Sequence, residues 1–182
     1  MNDASPARLN PISAIVLGLL AEFGPATSYE LKRRADGSVG YFWSFPHSQL
    51  YAEPRRLAAL GLLTEEQEAG GRRRRLYRLT DAGRAALRGW LTTPAGEGEL
   101  RDPGLLRLFF AGQGTPEQMR ALATEQGGLH AARLAEYRRL WASMRVSDRQ
   151  HPASHPLRMG LLYEEASLHF WQAIETLAED PS

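Results

Sequence analysis

The chain contains no cysteine among its 182 residues. Disulfide bonds and thiolate metal sites are therefore excluded, which fits a reducing compartment. The chain also lacks an apolar run long enough to cross a bilayer, and it begins without the basic-then-apolar pattern of a secretory signal. Its apolar fraction of 43% is ordinary for a globular protein. We expect a soluble, cytoplasmic protein with no membrane partner.

The chain has little net charge, only +1, but the charge is unevenly distributed along it. Residues 1–93 carry 13 Lys and Arg against 9 Asp and Glu, a net charge of +4. Residues 94–182 carry 9 against 12, a net charge of −3. Four arginines are consecutive, from Arg72 to Arg75. A concentrated basic excess favours a polyanionic partner for the first half of the chain only.

The first half of the chain begins with the pattern of two helices. Asn10 and Pro11 are residue types typical of a helix N-cap and first helical position, and apolar residues recur at helical spacing over residues 12–23. The segment from Thr27 to Glu30 has the S/T-x-x-E form of a capping box, in which each end satisfies a backbone donor of the other. It predicts a second, short helix that ends near Ala35.

A third helix follows, and it is the candidate recognition helix. Leu50, Leu57 and Leu60 share one helical face, which we expect to be buried, and Gly61 is the predicted stop. Pro54 removes a backbone donor and clashes with the carbonyl group four residues before it. We therefore expect this helix to kink or split near residues 50–53.

A basic hairpin comes next, with predicted strands at residues 62–68 and 73–80 around a glycine-bearing turn. A helix that fits a groove, followed by a basic hairpin that reaches neighbouring phosphates, is typical of a winged helix-turn-helix bound to duplex DNA. The predicted DNA contacts are His47, Ser48, Gln49, Tyr51, Arg55, Arg56, Arg72, Arg73, Arg74 and Arg75. The alternative for the arginine run is a turn that is only solvated.

A segment rich in Pro, Gly and small polar residues, at residues 93–102, predicts a domain boundary. The expected domains are a winged helix-turn-helix at residues 1–93, with three helices and a β-hairpin wing, and an all-helical dimerisation and effector domain at residues 100–182. The fold class is therefore mainly α.

The second half has the pattern of three helices, at Pro103–Ala111, from Thr115 towards Arg145, and at about Leu157–Ala178. The last helix carries two apolar stripes, one at Met159, Leu162, Ala166, Phe170, Ala173 and Leu177 and the other at Leu157, Leu161, Leu168 and Trp171. Two apolar faces need two covers, so we predict that a second copy of the chain covers one of them and that the protein is a homodimer.

Aromatic side chains near the recognition helix and in the predicted helices suggest an effector site. Tyr and Trp rings suit flat amphipathic ligands. The candidate ligand-binding residues are Tyr41, Trp43, Trp90, Trp141 and Trp171. One alternative is that these rings pack helices together and bind nothing. For Tyr41 and Trp43, another is contact with the DNA backbone.

Several stretches resemble the PadR-like transcriptional regulators: Ile15 to Leu31, Gly40 to Trp43, Ser48 to Tyr51, Leu57 to Leu63 and Tyr77 to Arg84. The stretch from Leu100 to about Ala178 is similar to the helical C-terminal domain of that family's virulence-activator branch. The resemblance implies operator binding as a dimer and release by a small effector, and we expect a repressor on an inverted-repeat operator. Pro54 stands where the family more commonly has leucine.

Two other classes of function remain open at this point. One is a helical protein-interaction module whose hairpin does not bind DNA. The other is a metal-binding protein that uses some of the five histidines, of which His151 and His155 are four residues apart. Pro152 and Pro156 predict a loop there, so this pair lacks the rigid element that a metal site or catalytic site needs. We expect no enzyme activity and no cofactor.

Overall fold

The computed structural model describes residues 9–67 and 74–179, which form two compact units divided between Glu97 and Gly98. The first unit contains α1 (Pro11–Phe23), β1 (Ala26–Thr27), α2 (Ser28–Asp36), α3 (His47–Ala59), β2 (Leu63–Gln67), β3 (Arg75–Leu79) and α4 (Asp81–Leu91). The second contains α5 (Pro103–Phe109), α6 (Pro116–Ser143) and α7 (His155–Glu179). The mainly α fold, with a winged helix-turn-helix followed by an all-helical unit, is confirmed.

The predicted helix starts are confirmed by their hydrogen bonds. The Asn10 side chain accepts from the Ser13 N–H at 2.8 Å at the start of α1. The Thr27 N–H donates to Glu30 Oε2 at 2.8 Å while the Glu30 N–H donates to Thr27 Oγ1, so the capping box of α2 is complete. Thr115 makes the equivalent box at the start of α6. Each cap satisfies donors that the helix itself leaves unpaired.

The core of the first unit lies where α1, α2 and α3 meet. Val16 and Leu17 of α1, Leu31 of α2 and Leu57 of α3 are fully buried there, together with Leu50. These side chains occupy positions that the apolar spacing of each helix places on one face. The recognition helix is therefore held from behind by two other helices.

Two apolar residues that the helical spacing places in the core are exposed instead. Phe23 is 51% exposed and Leu60 is 50% exposed. Phe23 is the last residue of α1, and Leu60 follows the last residue of α3. The chain turns away immediately afterwards at Gly24 and Gly61, whose φ angles of 75° and 73° suit glycine. Phe23 and Leu60 are therefore exposed because each helix ends at this point and no following turn packs over the side chain.

The recognition helix α3 runs unbroken from His47 to Ala59 through Pro54, so the expected split is wrong. Pro54 is fully buried with Leu50 and Leu57, and its ring forms part of the helix face that packs on the core. Burial of this face offsets the lost backbone hydrogen bond.

A three-stranded antiparallel sheet, in the order β1-β3-β2, completes the first unit. Tyr77 of β3 pairs with Ala26 of β1 on one side and with Glu65 of β2 on the other. The ring of Tyr77 is buried and Leu79 packs on the core, so these two residues form the inner face of β3. The sequence pattern does not predict β1, because two residues carry no periodicity. Residues 68–73, which include Arg72 and Arg73, lie outside the described residues.

The second unit is dominated by the packing of α6 on α7. The stripe that contains Trp171 faces α6, and Trp171 itself is only 1% exposed. The approach is close, because a Cβ on Gly160 of α7 would lie 2.7 Å from Cε2 of Tyr137 on α6. The other stripe of α7 is exposed, with Met159 at 63%, Leu162 at 58% and Leu177 at 66%.

None of the helices in the described residues is long and apolar enough to cross a membrane. Across residues 9–67 and 74–179, no three His, Asp or Glu side chains are grouped so that they could hold a metal ion.

Candidate nucleic-acid interface

The exposed side of α3 lies opposite its buried side, as the helical repeat requires. Leu50 and Leu57 mark the buried side, whereas Ser48, Ala52 and Arg55 are exposed and follow one another at spacings of four and three residues. Side chains at these spacings lie one above another on the same face of a helix. This face presents a hydroxyl, a methyl group and a cation to whatever approaches α3.

The remaining predicted contacts at the start of α3 flank this face. Gln49 and Tyr51 are exposed, Tyr51 to 48%. His47 is also exposed, with its Nδ1 atom 3.7 Å from Oδ1 of Asp36 at the end of α2. All three side chains can therefore reach a partner that meets the outer side of α3.

The two neighbouring arginines of α3 differ in their surroundings. Arg56 donates from Nε to Glu53 Oε2 at 2.9 Å and from Nη2 to Glu53 Oε1 at 2.6 Å. Its Nη2 atom also donates to Ser13 Oγ on α1 at 2.9 Å. Arg55 is exposed, and its side chain makes no hydrogen bond or ion pair with any residue that the structure describes. The structure thus places Arg56 in a cluster within the protein and leaves Arg55 available.

Glu53 is a functional candidate that the sequence pattern does not reveal. It is 7% exposed and lies on the buried side of α3, and its Oε1 atom accepts from Ser13 Oγ at 2.5 Å. Burial raises the pKa of the Glu53 carboxyl group, but hydrogen bonds from Arg56 and Ser13 outweigh it and hold the pKa below its ordinary value. The only sequence signal for this cluster is the i, i+3 spacing of Glu53 and Arg56.

The hairpin arginines also differ from one another. Arg75 Nη1 lies 2.8 Å from Glu65 Oε1 on the neighbouring strand, so its charge is partly neutralised. Arg74 precedes β3, is exposed, and makes no ion pair with any described residue. Arg72 and Arg73 lie outside the described residues. Within the described part of the hairpin, Arg74 is therefore the arginine best placed for an external anion.

The five aromatic candidates for a ligand site do not form one cluster. Tyr41, Trp43 and Trp90 are partly exposed in the first unit. In the second unit, Trp171 packs opposite Gly127, which lies fourteen residues from Trp141, or about 20 Å along α6. Trp171 is almost fully buried, so the core interpretation fits this residue.

The second unit contains a cleft that the sequence pattern does not predict. It has a volume of about 440 Å³ and lies between α6 and the end of α5 with the segment that follows it. Arg107, Phe110, Met119, Leu122 and Glu125 form much of its wall, and none of the five candidate aromatic residues lines it. It combines apolar surface with one cation and one carboxylate.

Residues 16–89 match the family model described as the transcriptional regulator PadR-like family, and residues 100–178 match the model described as virulence activator alpha C-term. The chain combines a PadR-like domain with a virulence-activator C-terminal domain. The two matches fall in the first and second units respectively, so both units of this PadR-like regulator have counterparts in known families. It is accordingly a transcriptional regulator and not an enzyme.

The known proteins to which this chain is similar include PadR of Bacillus subtilis. The negative transcriptional regulator PadR of strain 168 is 29% identical over 136 residues, which cover 70% of this chain and 74% of that protein. The crystal structure of B. subtilis PadR in complex with operator DNA has a TM-score of 0.82 at 24% identity, covering 93% of this chain and 99% of that one. The structure of that protein in complex with p-coumaric acid has a TM-score of 0.77 at 23% identity, covering 94% and 99%. At these identities the structures show a shared fold.

Proposed function

We propose that this PadR-like regulator binds an inverted-repeat operator as a homodimer and represses transcription there. The observation that carries the proposal is the outer face of α3, where exposed polar and basic side chains stand on a helix held from behind by α1 and α2. A two-fold dimer presents two such helices, and each enters one half of an inverted repeat.

The exposed residues of α3 and of the hairpin divide into two kinds of DNA contact. Ser48 and Gln49, in the first turn of α3, have side chains suited to base edges, and Gln pairs bidentately with adenine. Arg55 and Arg74 make no ion pair with any residue that the structure describes, and such cations suit phosphates, which position the protein without carrying sequence information. We assign Arg72, Arg73 and Arg75 to the same phosphate-contacting group because they are also cations. His47 and Tyr51 flank the outer face of α3.

The exposed stripe of α7 supports the homodimer. Met159, Leu162, Phe170 and Leu177 all lie on this stripe with large apolar side chains exposed, while the opposite side of α7 is already covered by α6. Burying apolar surface contributes about 25 cal/mol per Å². A second copy of the chain offers the same stripe, so a two-fold axis between the two stripes covers both.

The proposed effector is a small aromatic or amphipathic compound that releases the operator. B. subtilis PadR is a negative regulator whose structure is known with p-coumaric acid, an aromatic acid. Partly exposed rings at Tyr41, Trp43 and Trp90 offer flat surfaces in this chain, and Trp141 is half-buried. The cleft at Arg107 and Phe110 combines a cation with an aromatic wall, which also suits an aromatic acid.

The test is a gel-shift titration with the DNA upstream of the protein's own gene, against an unrelated duplex of equal length. We expect two protomers per operator, a steep salt dependence, and tighter binding to the upstream DNA than to the control duplex. A reporter fused to that upstream DNA should rise in expression when the regulator is deleted. Failure to bind any duplex at low salt would support the protein-interaction module instead.

A further inference from the structure

Three polar side chains form a cluster on the inner side of the recognition helix. Ser13 of α1 is fully buried and Glu53 of α3 nearly so, while the Arg56 side chain is 49% exposed. The cluster joins residues 40 and 43 positions apart in the chain. It is the polar connection between α1 and α3, whose other contacts in the core are apolar.

The hydrogen bonds of this cluster can be assigned atom by atom. The Ser13 hydroxyl has one proton, and Glu53 Oε1 at 2.5 Å is a nearer and charged acceptor than Asn10 Oδ1 at 2.9 Å. The same hydroxyl oxygen accepts from Arg56 Nη2. Arg56 therefore donates within the protein from Nε and Nη2, and its Nη1 atom makes no hydrogen bond with any residue that the structure describes.

Because the Glu53 carboxylate is buried, its ion pair with Arg56 is costly to break. A carboxylate removed from water is stable only while its charge is paired, and removing one partner of a buried pair leaves that charge uncompensated. If Arg56 swung outwards to a phosphate, Glu53 would keep only the hydroxyl of Ser13. Arg55, one position earlier, has no described partner to lose.

We propose that Glu53 is a specificity-determining residue that withholds Arg56 from DNA, so that the two neighbouring arginines of α3 have different roles. Arg55 contacts phosphate, whereas Arg56 is a positioning residue that holds α3 against α1. The proposal rests on the proposed function, in which α3 contacts DNA. Because the Glu53–Arg56 pair is neutral, it adds no sequence-independent attraction to the duplex. Binding to unrelated DNA is thereby kept weak relative to the operator.

The central experiment measures the slope of log affinity against log salt concentration for full-length variants. Arg55→Ala is expected to flatten the slope by about one unit, the value for one lost phosphate contact. The charge-matched double variant Glu53→Gln/Arg56→Gln, whose amides can bond each other and Ser13, is expected to keep the wild-type slope. If that double variant flattens the slope by about one unit, Arg56 contacts phosphate and the proposal is wrong.

A single substitution tests the withholding directly. Glu53→Gln releases the charge of Arg56, so the slope should steepen by about one unit, with a gain in affinity for unrelated duplex and a smaller ratio of operator to unrelated binding. Glu99→Gln makes the same charge change in the second unit, where Glu99 pairs with Arg101, and should alter neither quantity. An unchanged slope in Glu53→Gln would overturn the proposal, because a merely structural pair would affect stability alone.

A readout without DNA separates failure of this proposal from failure of the proposed function. In urea unfolding, Arg56→Ala should lower the midpoint much more than Arg55→Ala, and the effects of Glu53→Gln and Arg56→Gln should be non-additive. A wild-type protein that binds no duplex would remove the proposed function and this inference with it, whatever the unfolding data show. If the wild-type protein binds DNA but the effects of Glu53→Gln and Arg56→Gln on the urea midpoint simply add, only the proposal about the cluster is overturned.

Discussion

The Nδ1 atom of His130 lies 2.5 Å from Oε2 of Glu164, and both side chains are buried where α6 packs on α7. Arg133 adds a second, longer contact, with Nη1 3.5 Å from Glu164 Oε1. A buried carboxylate needs such partners to offset its lost hydration. The pair therefore constrains how the two long helices meet, on the side of α7 opposite the stripe proposed for dimerisation.

The first prediction concerns this pair. His130→Leu should cost about 3 kcal/mol of unfolding free energy, because it removes the nearest partner of the buried Glu164 and leaves the longer contact with Arg133. His130→Leu/Glu164→Leu should cost less than His130→Leu alone, since an apolar pair of similar volume needs no partner. Urea unfolding of the wild type, both single variants and the double variant measures the coupling. Costs that simply add would show that the two residues do not stabilise each other.

The second prediction concerns the start of α4. A Cβ on Gly83 would lie 2.2 Å from the carbonyl oxygen of Leu62 and 2.8 Å from Cδ1 of Leu79. Gly83→Ala should therefore destabilise the first unit by about 1–3 kcal/mol through overpacking. Gly89→Ala on the same helix is the control, because its Cβ position has no described atom within 4 Å apart from the adjacent residues and the nearby backbone of the helix. It should instead stabilise the protein by about 0.5–1 kcal/mol. Thermal unfolding distinguishes the two signs.

The third prediction concerns assembly. Leu162→Asp/Leu177→Asp places two charges on the exposed stripe of α7 and should convert the dimer to a monomer in sedimentation measurements at micromolar concentration. Both positions are exposed within the chain, so the helical circular dichroism signal should be kept. Gln172→Glu adds a charge at an exposed position of α7 outside the stripe and should leave the dimer intact. A wild-type monomer, or a dimeric double variant, would contradict the proposed interface.

The fourth prediction is a pH dependence that follows from the lowered pKa of Glu53. Between its folded pKa and the higher pKa of an unfolded chain, the unfolded state binds more protons, so stability falls as the pH is lowered through this window. The contribution of the charged carboxylate is fully present above about pH 5. The stability difference between the wild type and Glu53→Gln should therefore shrink on acidification. Urea midpoints from pH 7 downwards measure it, and a constant difference would argue against a lowered pKa.

The fifth prediction separates the two kinds of DNA contact. Arg74→Ala should weaken binding to all duplexes alike and flatten the salt dependence by about one unit. Gln49→Ala should weaken binding to the operator alone, by about 1–3 kcal/mol, and leave the salt slope unchanged. Competition titrations at several salt concentrations give both quantities. An Arg74→Ala variant with the wild-type slope would show that this part of the hairpin does not contact phosphate.

Local structure was largely determined by the sequence alone. The capping boxes at Thr27 and Thr115 and the cap at Asn10 are contacts within four residues, so their side-chain types suffice to predict them. The apolar repeat likewise predicts the buried faces of α1 and α3, apart from Phe23 and Leu60 at their ends. The same local signals predict the exposed residues Ser48 and Gln49 at the start of α3.

Tertiary structure decided the features that depend on residues distant in the chain. Periodicity shows that α7 has two apolar stripes, but only the packing of α6 selects the stripe of Trp171 as the covered one. β1 exists because β3 lies beside it. From the sequence alone, Glu53 would be taken for a solvent-exposed residue of α3. In the structure it is hydrogen-bonded by Ser13 of α1, which lies 40 positions away in the chain. The physical reason is that a local pattern records the chemistry of a side chain, whereas burial and pairing depend on which other segment covers it.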